Sequence, residues 1–244
     1  MRAAEIAASA LVQPVICPDL PRPLAMIWGS RERPARFLPM ARSVISVQGD
    51  AVMSASLDSD QVRVVDSLFA YPMGVLRDPH SLTWKTVESA SVAGLERLWR
   101  LAVAAEITGN LQGALTSVTA YVTQRRQFGR PIGSFQGVQH RLAHAASQVE
   151  GARWLTLKAA WSGSDDDAAT ALGMTQALST RVVYDLHQFM GAMGLTLEHP
   201  LHRWTYRVRL LRSELGGADS NLEALANMTW NPQQAQREAR SHVS

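Results

Sequence analysis

The hydrophobic positions in the carboxyl-terminal two thirds of the chain follow the period of amphipathic helices. Apolar residues recur three or four positions apart, a spacing that gathers them on one helix face. In the longest stretch they are Leu95, Leu98, Ala102, Ala105, Leu111, Leu115, Val118 and Val122. This stretch predicts a helix of about 35 residues, ~50 Å long at 1.5 Å per residue. Ser89 or Ser91 is the expected amino-terminal cap, and such a length favours a helical bundle.

Four further helices are predicted after the first. The second runs from about Val138 to Ala160. The third begins in the acidic residues 165–167, where carboxylates suit the positive end of a helix dipole, and ends at the glycines of residues 191–194. A fourth helix follows Pro200, and residues 221–228 form a short fifth. The chain from Gln233 onward is rich in Arg, Gln and Ser and is expected to be loose.

The segment before the helices has the pattern of β-strands. Two short apolar runs, at residues 44–47 and 51–53, flank Gln-Gly-Asp and predict a β-hairpin. Residues 61–69 supply a third strand, and together these strands predict a small antiparallel sheet. The prolines between residues 14 and 23 predict an irregular path, and the polar residues 31–42 make a poor core element.

The expected fold is mainly α with a small β segment, an up-and-down helical bundle preceded by a short antiparallel sheet. Residues 1–84 form a reduced amino-terminal segment with the β part. Residues 85–232 form the bundle, and residues 233–244 form a loose tail.

Composition narrows the function classes. Of 244 residues, 18% are charged and 46% hydrophobic, which is typical of a soluble globular protein. The lone Cys17 excludes an internal disulfide and leaves a zinc site without its usual ligands, and His140 with His144 lacks a third ligand. No long apolar run or export leader is present, so we expect a cytoplasmic protein outside the membrane. The net charge of +3 comes with scattered arginines, which argues against a nucleic-acid partner.

The connection between the first two predicted helices contains the largest concentration of candidate ligand-binding residues. Residues 121–140 read Tyr-Val-Thr-Gln-Arg-Arg-Gln-Phe-Gly-Arg-Pro-Ile-Gly-Ser-Phe-Gln-Gly-Val-Gln-His. Their glycines and proline prevent either helix from running straight through. Arg125 and Arg126 are expected in the last turn of the first helix, where cations suit the dipole. Phe128 and Phe135 are expected to pin a short extended loop.

Residues 125–136 resemble the signature of the acyl-CoA dehydrogenase family, found at the head of its carboxyl-terminal helical bundle. In that family the arginine, phenylalanine and glutamine reach across a dimer interface to the ADP half of a neighbouring subunit's FAD. The resemblance covers about residues 90–215. It implies FAD contacts by six residues, namely Arg125, Arg126, Gln127, Phe128, Phe135 and Gln136.

A second motif strengthens the resemblance. Residues 187–194 read His-Gln-Phe-Met-Gly-Ala-Met-Gly, where relatives carry a glutamine, two spacers and paired glycines beneath the partner's FAD pyrophosphate. The resemblance therefore adds Gln188 and Gly191 to the cofactor contacts. Small residues let backbone approach a phosphate, and a glutamine can donate amide hydrogens to it. Ala192 departs from the pattern by replacing one glycine.

The catalytic residue of the family has no counterpart in register. Relatives use a carboxylate to remove a proton α to a thioester carbonyl while hydride passes to the flavin. Alignment without gaps places that carboxylate at Leu215, before Gly216, and the alternative site of some relatives at Trp99. Glu214 and Glu106 lie nearby but off the alignment. We therefore assign no catalytic residue.

The resemblance implies one leading role and leaves two alternatives. About 85 residues precede the bundle, too few for the two domains that full-length relatives carry there. The chain thus resembles the degenerate subunit of heteromeric α2β2 actinobacterial acyl-CoA dehydrogenases, known from steroid side-chain breakdown. That role implies FAD and a larger homologous subunit that holds most of the acyl-CoA. The alternatives are a self-sufficient shortened dehydrogenase with Glu214 or Glu106 as a displaced base, and a structural helical protein without flavin.

Overall fold

The computed structural model describes residues 20–88 and 91–230. The described chain divides into two compact units, residues 20–99 with Trp230 and residues 100–229. The candidate Ser89 cap and the tail from Gln233 lie outside the described residues.

The first unit contains seven β-strands. They are β1 (Leu24–Trp28), β2 (Ala35–Arg36), β3 (Ser43–Gln48), β4 (Ala51–Ser56), β5 (Val62–Val65), β6 (Met73–Leu76) and β7 (Lys85–Thr86). Strands β3 and β4 form the predicted antiparallel hairpin, with a two-residue turn at Gly49 and Asp50. The predicted third strand, β5, does not join this hairpin and pairs with β6. One sheet has the order β1-β3-β4-β7 and the other has the order β2-β6-β5.

One strand of this unit was not predicted, and one expectation was wrong. Residues 24–28, which follow the prolines, form a strand parallel to β3, with Leu24 beside Ser43 and Trp28 beside Val47. Strand β1 is an edge strand, so the prolines that precede it remove no ladder hydrogen bond. Residues 31–42, expected to stay out of the core, contribute the fully buried Leu38.

The four-stranded sheet is covered on both faces. Alternate residues of β1 enter different apolar clusters, Leu24 and Met26 in one, and Ala25 and Ile27 in the other. This follows from the two-residue period of a strand. The first cluster also takes in Leu95 from the helix that follows.

The helices confirm the expected mainly α fold. They are α1 (Val92–Gln124), α2 (Gln136–Ser162), α3 (Asp165–Met190), α4 (Leu201–Leu211) and α5 (Gly217–Trp230). No helix in the described part of the chain combines the length and the apolar character needed to cross a membrane.

Helix α1 has 33 residues, close to the predicted length. Ser91 caps it, because the Ser91 hydroxyl accepts a hydrogen bond of 3.0 Å from the Gly94 backbone amide. The predicted stripe is correct from Leu111 onward. Leu95 is also buried as predicted, but between Leu95 and Leu111 the stripe is displaced, since Ala105 is exposed and Val103, Ala104 and Ile107 are buried.

Helices α1 and α4 approach closely at Gly113. A methyl group on Gly113 would lie 2.8 Å from the Trp204 indole nitrogen, so any larger residue would push the tryptophan away. The space beside Gly109, one turn earlier on α1, is open.

Helices α2 and α3 form an antiparallel pair with a short connection. Gly163, at φ +62°, ends α2, and the Ser164 hydroxyl accepts from the Asp167 amide to cap α3. The two helices are joined near this connection by the ion pair Lys158–Asp167 at 2.8 Å. A second pair, Arg141–Asp185, joins them far from it.

Candidate functional site

The residues of the first motif form a tight β-hairpin. Helix α1 ends at Gln124, strand β8 (Arg126–Gln127) follows, and it pairs with β9 (Arg130–Pro131). The expectation of an extended loop with both arginines in the helix was therefore wrong. The Arg125 backbone amide still donates to the Tyr121 carbonyl, 2.8 Å away, so Arg125 lies at the helix boundary.

Phe128 stands at the tip of this hairpin. Phe128 and Gly129 have φ values of +52° and +81°, the backbone of a type I′ turn. A side chain in this left-handed region costs about 1–2 kcal/mol, and at functional sites such strain often accompanies a binding role. The Phe128 ring is 89% exposed and meets Phe135 edge to face at 6.2 Å between centroids. Phe128 thus presents its ring to solvent and does not pin the loop, as had been expected.

The arginines at the hairpin differ in whether their guanidinium groups contact other residues of the described chain. Arg126 donates to the Gly129 carbonyl at 3.2 Å, and Arg130 lies 4.0 Å over the Phe135 ring. Arg125 is exposed, and its guanidinium donates to no residue in the described ranges. Arg125 is accordingly the hairpin cation that is best placed to bind a ligand.

The antiparallel register of α2 and α3 brings the second motif to the first. Arg141 and Lys158 are 17 residues apart on α2 (141 to 158), and their partners are 18 apart on α3 (167 to 185). Continuing this register back to the start of α2 places Gln136 opposite residue 190. Gln136, Gln188 and Gly191 therefore lie at one end of the helix pair, next to the hairpin, and all three are exposed.

The backbone at the end of α3 depends on glycine. Gly191 has φ +55° and ψ −138°, a conformation open almost only to glycine. No atom lies within 4 Å of where a side chain would begin, so the backbone of Gly191 is accessible to a ligand. The predicted helix end is confirmed, and its geometry suits close approach by a phosphate group.

His187 holds this helix end against α4. Its Nε2 lies 3.0 Å from the Thr205 hydroxyl, which itself donates to the Leu201 carbonyl. The Thr205 oxygen must then accept from His187, which fixes the proton on Nε2. Burial lowers the pKa of His187, although the adjacent Gly194 backbone acts in the opposite direction. A neutral His187 thus fits its position.

A buried carboxylate fixes the register of α2 and α3. The Asp185 side chain is 3% exposed and pairs with both Arg141 and Arg181. Burial raises the pKa of Asp185, but the hydrogen bonds and charges of Arg141 and then Arg181 outweigh it and leave the pKa lowered. No local pattern in the sequence predicts the Arg141–Asp185 pair, because its partners lie 44 positions apart.

The two displaced acids occupy different surroundings. Glu214 begins a one-turn 3₁₀ helix in which Leu215 has φ +52°, followed by Gly216 and Gly217 at +82° and +81°. Glu106 is partly buried within α1, where its carbonyl accepts from Asn110. Trp99, which the resemblance aligns with the alternative catalytic position, packs beside the first apolar cluster. The described residues contain no group of three or more His, Cys, Asp or Glu arranged to hold a metal ion.

The buried amide side chains of Gln176 and Asn221 stabilise the turn that contains Leu215 through hydrogen bonds. The Gln176 amide donates at 3.0 Å to the carbonyls of both Leu211 and Glu214. The Asn221 amide donates to Gly217 at 2.7 Å and to the Gln176 side-chain oxygen at 3.2 Å. Both side chains are at most 2% exposed. The turn therefore has one well-defined conformation.

Replacing Gln176 by leucine is expected to destabilise the chain by about 3 kcal/mol. The change removes the side-chain donor of the buried Leu211 carbonyl, at ~1–3 kcal/mol for an unsatisfied buried group, and one of the two donors to the Glu214 carbonyl, which keeps the Gly217 amide. Urea unfolding followed by circular dichroism measures the change. Gln139→Leu, the same substitution at an exposed position of α2, is the control and should stay within about 0.5 kcal/mol of the parent. Equal effects at the two positions would show that the Gln176 amide carries no special weight.

Comparison with known proteins identifies the family. Residues 96–229 match the family described as "Acyl-CoA dehydrogenase, C-terminal domain". The chain belongs to the acyl-CoA dehydrogenase family. The match contains the hairpin, the α2–α3 pair and the turn at Leu215.

Comparison with individual proteins supports the same family assignment. The probable acyl-CoA dehydrogenase YngJ of Bacillus subtilis is 34% identical over 131 residues, which are 52% of this chain and 34% of that protein. The solved structure of the steroid ACAD Tcur3481–Tcur3483 has a TM-score of 0.72 at 21% identity, covering 87% of this chain and 64% of that chain. The ChsE4–ChsE5 complex from Mycobacterium tuberculosis has a TM-score of 0.67 at 24% identity, covering 88% and 65%.

These comparisons also show how much of its relatives' length the chain spans. It spans about a third of the length of the Bacillus relative and just under two thirds of the two structural relatives. The structural likeness includes residues outside the family match, so the similarity of fold extends beyond residues 96–229.

Proposed function

We propose that this chain is a subunit of a flavin-dependent acyl-CoA dehydrogenase and that it binds the ADP half of an FAD held chiefly by a neighbouring subunit. One observation carries the proposal. The register of α2 and α3 gathers Gln136, Gln188 and Gly191 at the end of the helix pair where the exposed arginine hairpin begins. Packing of a helical bundle alone does not require this collection of exposed donors.

The donor set fits an ADP group. A diphosphate is an anion that accepts hydrogen bonds, and arginine and amide side chains are its usual partners. Arg125, Gln136 and Gln188 supply such groups at exposed positions, and Gly191 offers open backbone. The exposed ring of Phe128 provides an apolar surface for the adenosine part, with Arg126, Gln127 and Phe135 completing the hairpin. When bound, FAD would supply the hydride-accepting group.

The absence of a carboxylate in register supports a division of labour between subunits. By the resemblance, Leu215 in the turn after α4 takes the position of the relatives' acid, and a leucine can neither remove nor hold a proton. We propose that a larger homologous subunit supplies the base and most of the acyl-CoA site, in an α2β2 assembly. The two-part names of the structural relatives are consistent with an assembly of unlike subunits.

Glu214 supports a second candidate, a shortened dehydrogenase that acts without a larger subunit. It immediately precedes Leu215 in a turn whose carbonyls are fixed by Gln176. A carboxylate on so well-defined a turn could act as a displaced base. This candidate requires that the chain alone bind flavin and turn over an acyl-CoA.

Co-expression with a full-length acyl-CoA dehydrogenase subunit from the same organism should yield one yellow complex, with the chain alone colourless. The physical reason is that the hairpin and helix ends hold only one half of the cofactor. Size-exclusion chromatography with absorbance near 450 nm, as expected for a flavin, measures both properties together. Two separate colourless proteins would contradict the proposal, and a yellow, active chain by itself would favour the Glu214 candidate.

A further inference from the structure

We infer that His199 is a positioning residue, which fixes the segment after the second motif, residues 187–194, against the part of α1 that leads into the hairpin. This role rests on the proposed function, because the groups that His199 positions are those assigned to the diphosphate. His199 itself lies outside both motifs.

The ring of His199 caps helix α4. Its Nδ1 accepts a hydrogen bond of 3.2 Å from the backbone amide of Leu201, the first residue of α4. The first amides of a helix have no acceptor within the helix, and the side chain of Pro200, which precedes Leu201, has no polar group to supply one. The imidazole therefore takes the role that a serine or an aspartate usually has at the start of a helix.

The same ring contacts the second half of α1. The His199 Nε2 lies 3.4 Å from the Ser117 hydroxyl, and the ring meets Tyr121 edge to face at 6.1 Å between centroids. Because Nδ1 accepts from Leu201, the proton of the neutral ring is on Nε2, which then donates to Ser117. One side chain thus joins the start of α4 to α1.

The contacted face of α1 leads directly to Arg125. Ser117, Tyr121 and Arg125 follow one another at intervals of four, a spacing that places them on one side of the helix. The Tyr121 carbonyl accepts from the Arg125 amide at 2.8 Å, so a displacement of Tyr121 would move Arg125 with it. Gly113, one turn before Ser117, is where α1 meets Trp204. The first turn of α4 is therefore held against the face of α1 that ends in the cation proposed for the diphosphate.

The other end of the link is the second motif. A single 3₁₀ turn, Gly191–Leu195, follows α3, and the Thr196 amide donates to the Met193 carbonyl at 3.3 Å. Only residues 195–198 separate the motif from His199. Anchoring His199 on α1 therefore limits how far the open backbone of Gly191 can move from Arg125.

Only the neutral form of His199 makes both contacts. Burial lowers the pKa of His199, and the charge of His202 lowers it further. A protonated Nδ1 cannot accept from Leu201, and a positive charge at the amino-terminal end of α4 opposes the helix dipole. The link is therefore complete above the ordinary histidine pKa of about 6.5. It is lost as the pH falls through the lower folded-state pKa.

The titratable and charged groups around His199 come from both helices and from its own segment. Helix α1 contributes the Tyr121 phenol. The first turn of α4 contributes Arg203 and His202, whose Nδ1 donates to the His199 carbonyl at 2.9 Å. Glu198 is the carboxylate among these neighbours, and it is exposed, so solvent screens its attraction for a charged imidazole.

Two substitutions distinguish the two ring nitrogens. His199→Asn keeps an acceptor in place of Nδ1 and does not titrate, whereas His199→Gln keeps a donor in place of Nε2. In the co-purified complex near pH 7.5, His199→Asn should retain flavin as the parent does, and His199→Gln should retain it about fivefold less tightly, the effect of a lost helix cap. His80→Asn, at an exposed position of the first unit, is the control and should match the parent. Hydrogen exchange in residues 196–203 should be faster in His199→Gln than in His199→Asn at the same pH, and equal exchange would contradict the cap.

A pH profile is the measurement that a merely structural histidine would not change. Between about pH 7.5 and pH 5.5, the parent should lose about fivefold more flavin affinity than His199→Asn, because only the parent can be protonated at this position. Identical profiles, or flavin retained equally by the parent and His199→Gln, would overturn the inference and leave the proposed function intact. A parent complex that holds no flavin would overturn both.

Discussion

Replacing Asp185 by leucine is expected to lower the free energy of unfolding by about 2–3 kcal/mol, less than the ~3–5 kcal/mol typical of a fully buried ion pair, because the Arg141 side chain left behind is 36% exposed. Asp185 is 3% exposed and receives hydrogen bonds from two arginines. Without it, Arg141 loses its carboxylate, and the Arg141 Nε is already buried without an acceptor in the described chain. Arg181 is 63% exposed and can turn to water, so most of the cost falls on Arg141.

Urea unfolding measures the loss of stability, and two comparison variants test whether it comes from the broken ion pair. Asp166→Asn removes an exposed carboxylate from the first turn of the same helix and should cost no more than about 1 kcal/mol. Asp185→Leu/Arg141→Met removes both charges and should recover part of the loss, because no unpaired buried charge remains. If the double variant is as unstable as the sum of the single variants, the two charges do not interact as proposed.

The same ion pair predicts a pH dependence. The lowered pKa of Asp185 in the folded chain means that its stabilisation is complete above the ordinary value near 3.9. It is lost as pH falls through the lower folded-state pKa. The stability difference between the parent and Asp185→Asn should therefore be constant from pH 7 to 5 and shrink below pH 4. Urea midpoints measured from pH 7 to pH 3 test this, and a difference that grows on acidification would refute it.

The helices were predictable because their signal is local. Periodicity located α1 to α5, and residues such as Ser91, Gly163 and Ser164 end or begin them by their own hydrogen bonds and backbone angles. The displaced stripe in the first half of α1 shows the limit of the method. Ala102 and Ala105 matched the period, but alanine is small enough for either face, and Val103 with Ile107 determined the buried side.

The strands and the site needed information that is not local. Parallel pairing of β1 with β3 joins segments separated by residues 29–42, and no short pattern specifies such a partner. The motif residues were identified by resemblance, but their meeting at one end of α2 and α3 depends on the register fixed by Arg141 and Asp185. The turn at Phe128 likewise depends on φ values that a phenylalanine rarely adopts.

Replacing Arg125 by alanine is expected to weaken FAD retention in the co-purified complex by about 10- to 100-fold. A hydrogen bond to a charged group contributes ~1.5–3 kcal/mol, and a factor of ten in affinity corresponds to about 1.4 kcal/mol. Arg125 is exposed and its guanidinium donates to no residue of the described chain, so its removal leaves the fold intact. Gln188→Ala should act in the same direction and less strongly, since an amide carries no net charge.

The ratio of bound flavin to protein, measured during dilution of the complex, distinguishes a binding role from a structural one. Arg209→Ala on α4 removes another exposed arginine and should leave flavin retention unchanged. Arg126→Ala should also reduce retention, but because Arg126 donates to Gly129 it should loosen the hairpin as well, which proteolysis near residue 128 would report. Arg125→Lys should recover part of the affinity if charge at this position is what the diphosphate requires. Full flavin retention in Arg125→Ala and Gln188→Ala together would show that the hairpin and the end of α3 do not face a nucleotide, and the flavin would then have to be held by the larger subunit alone.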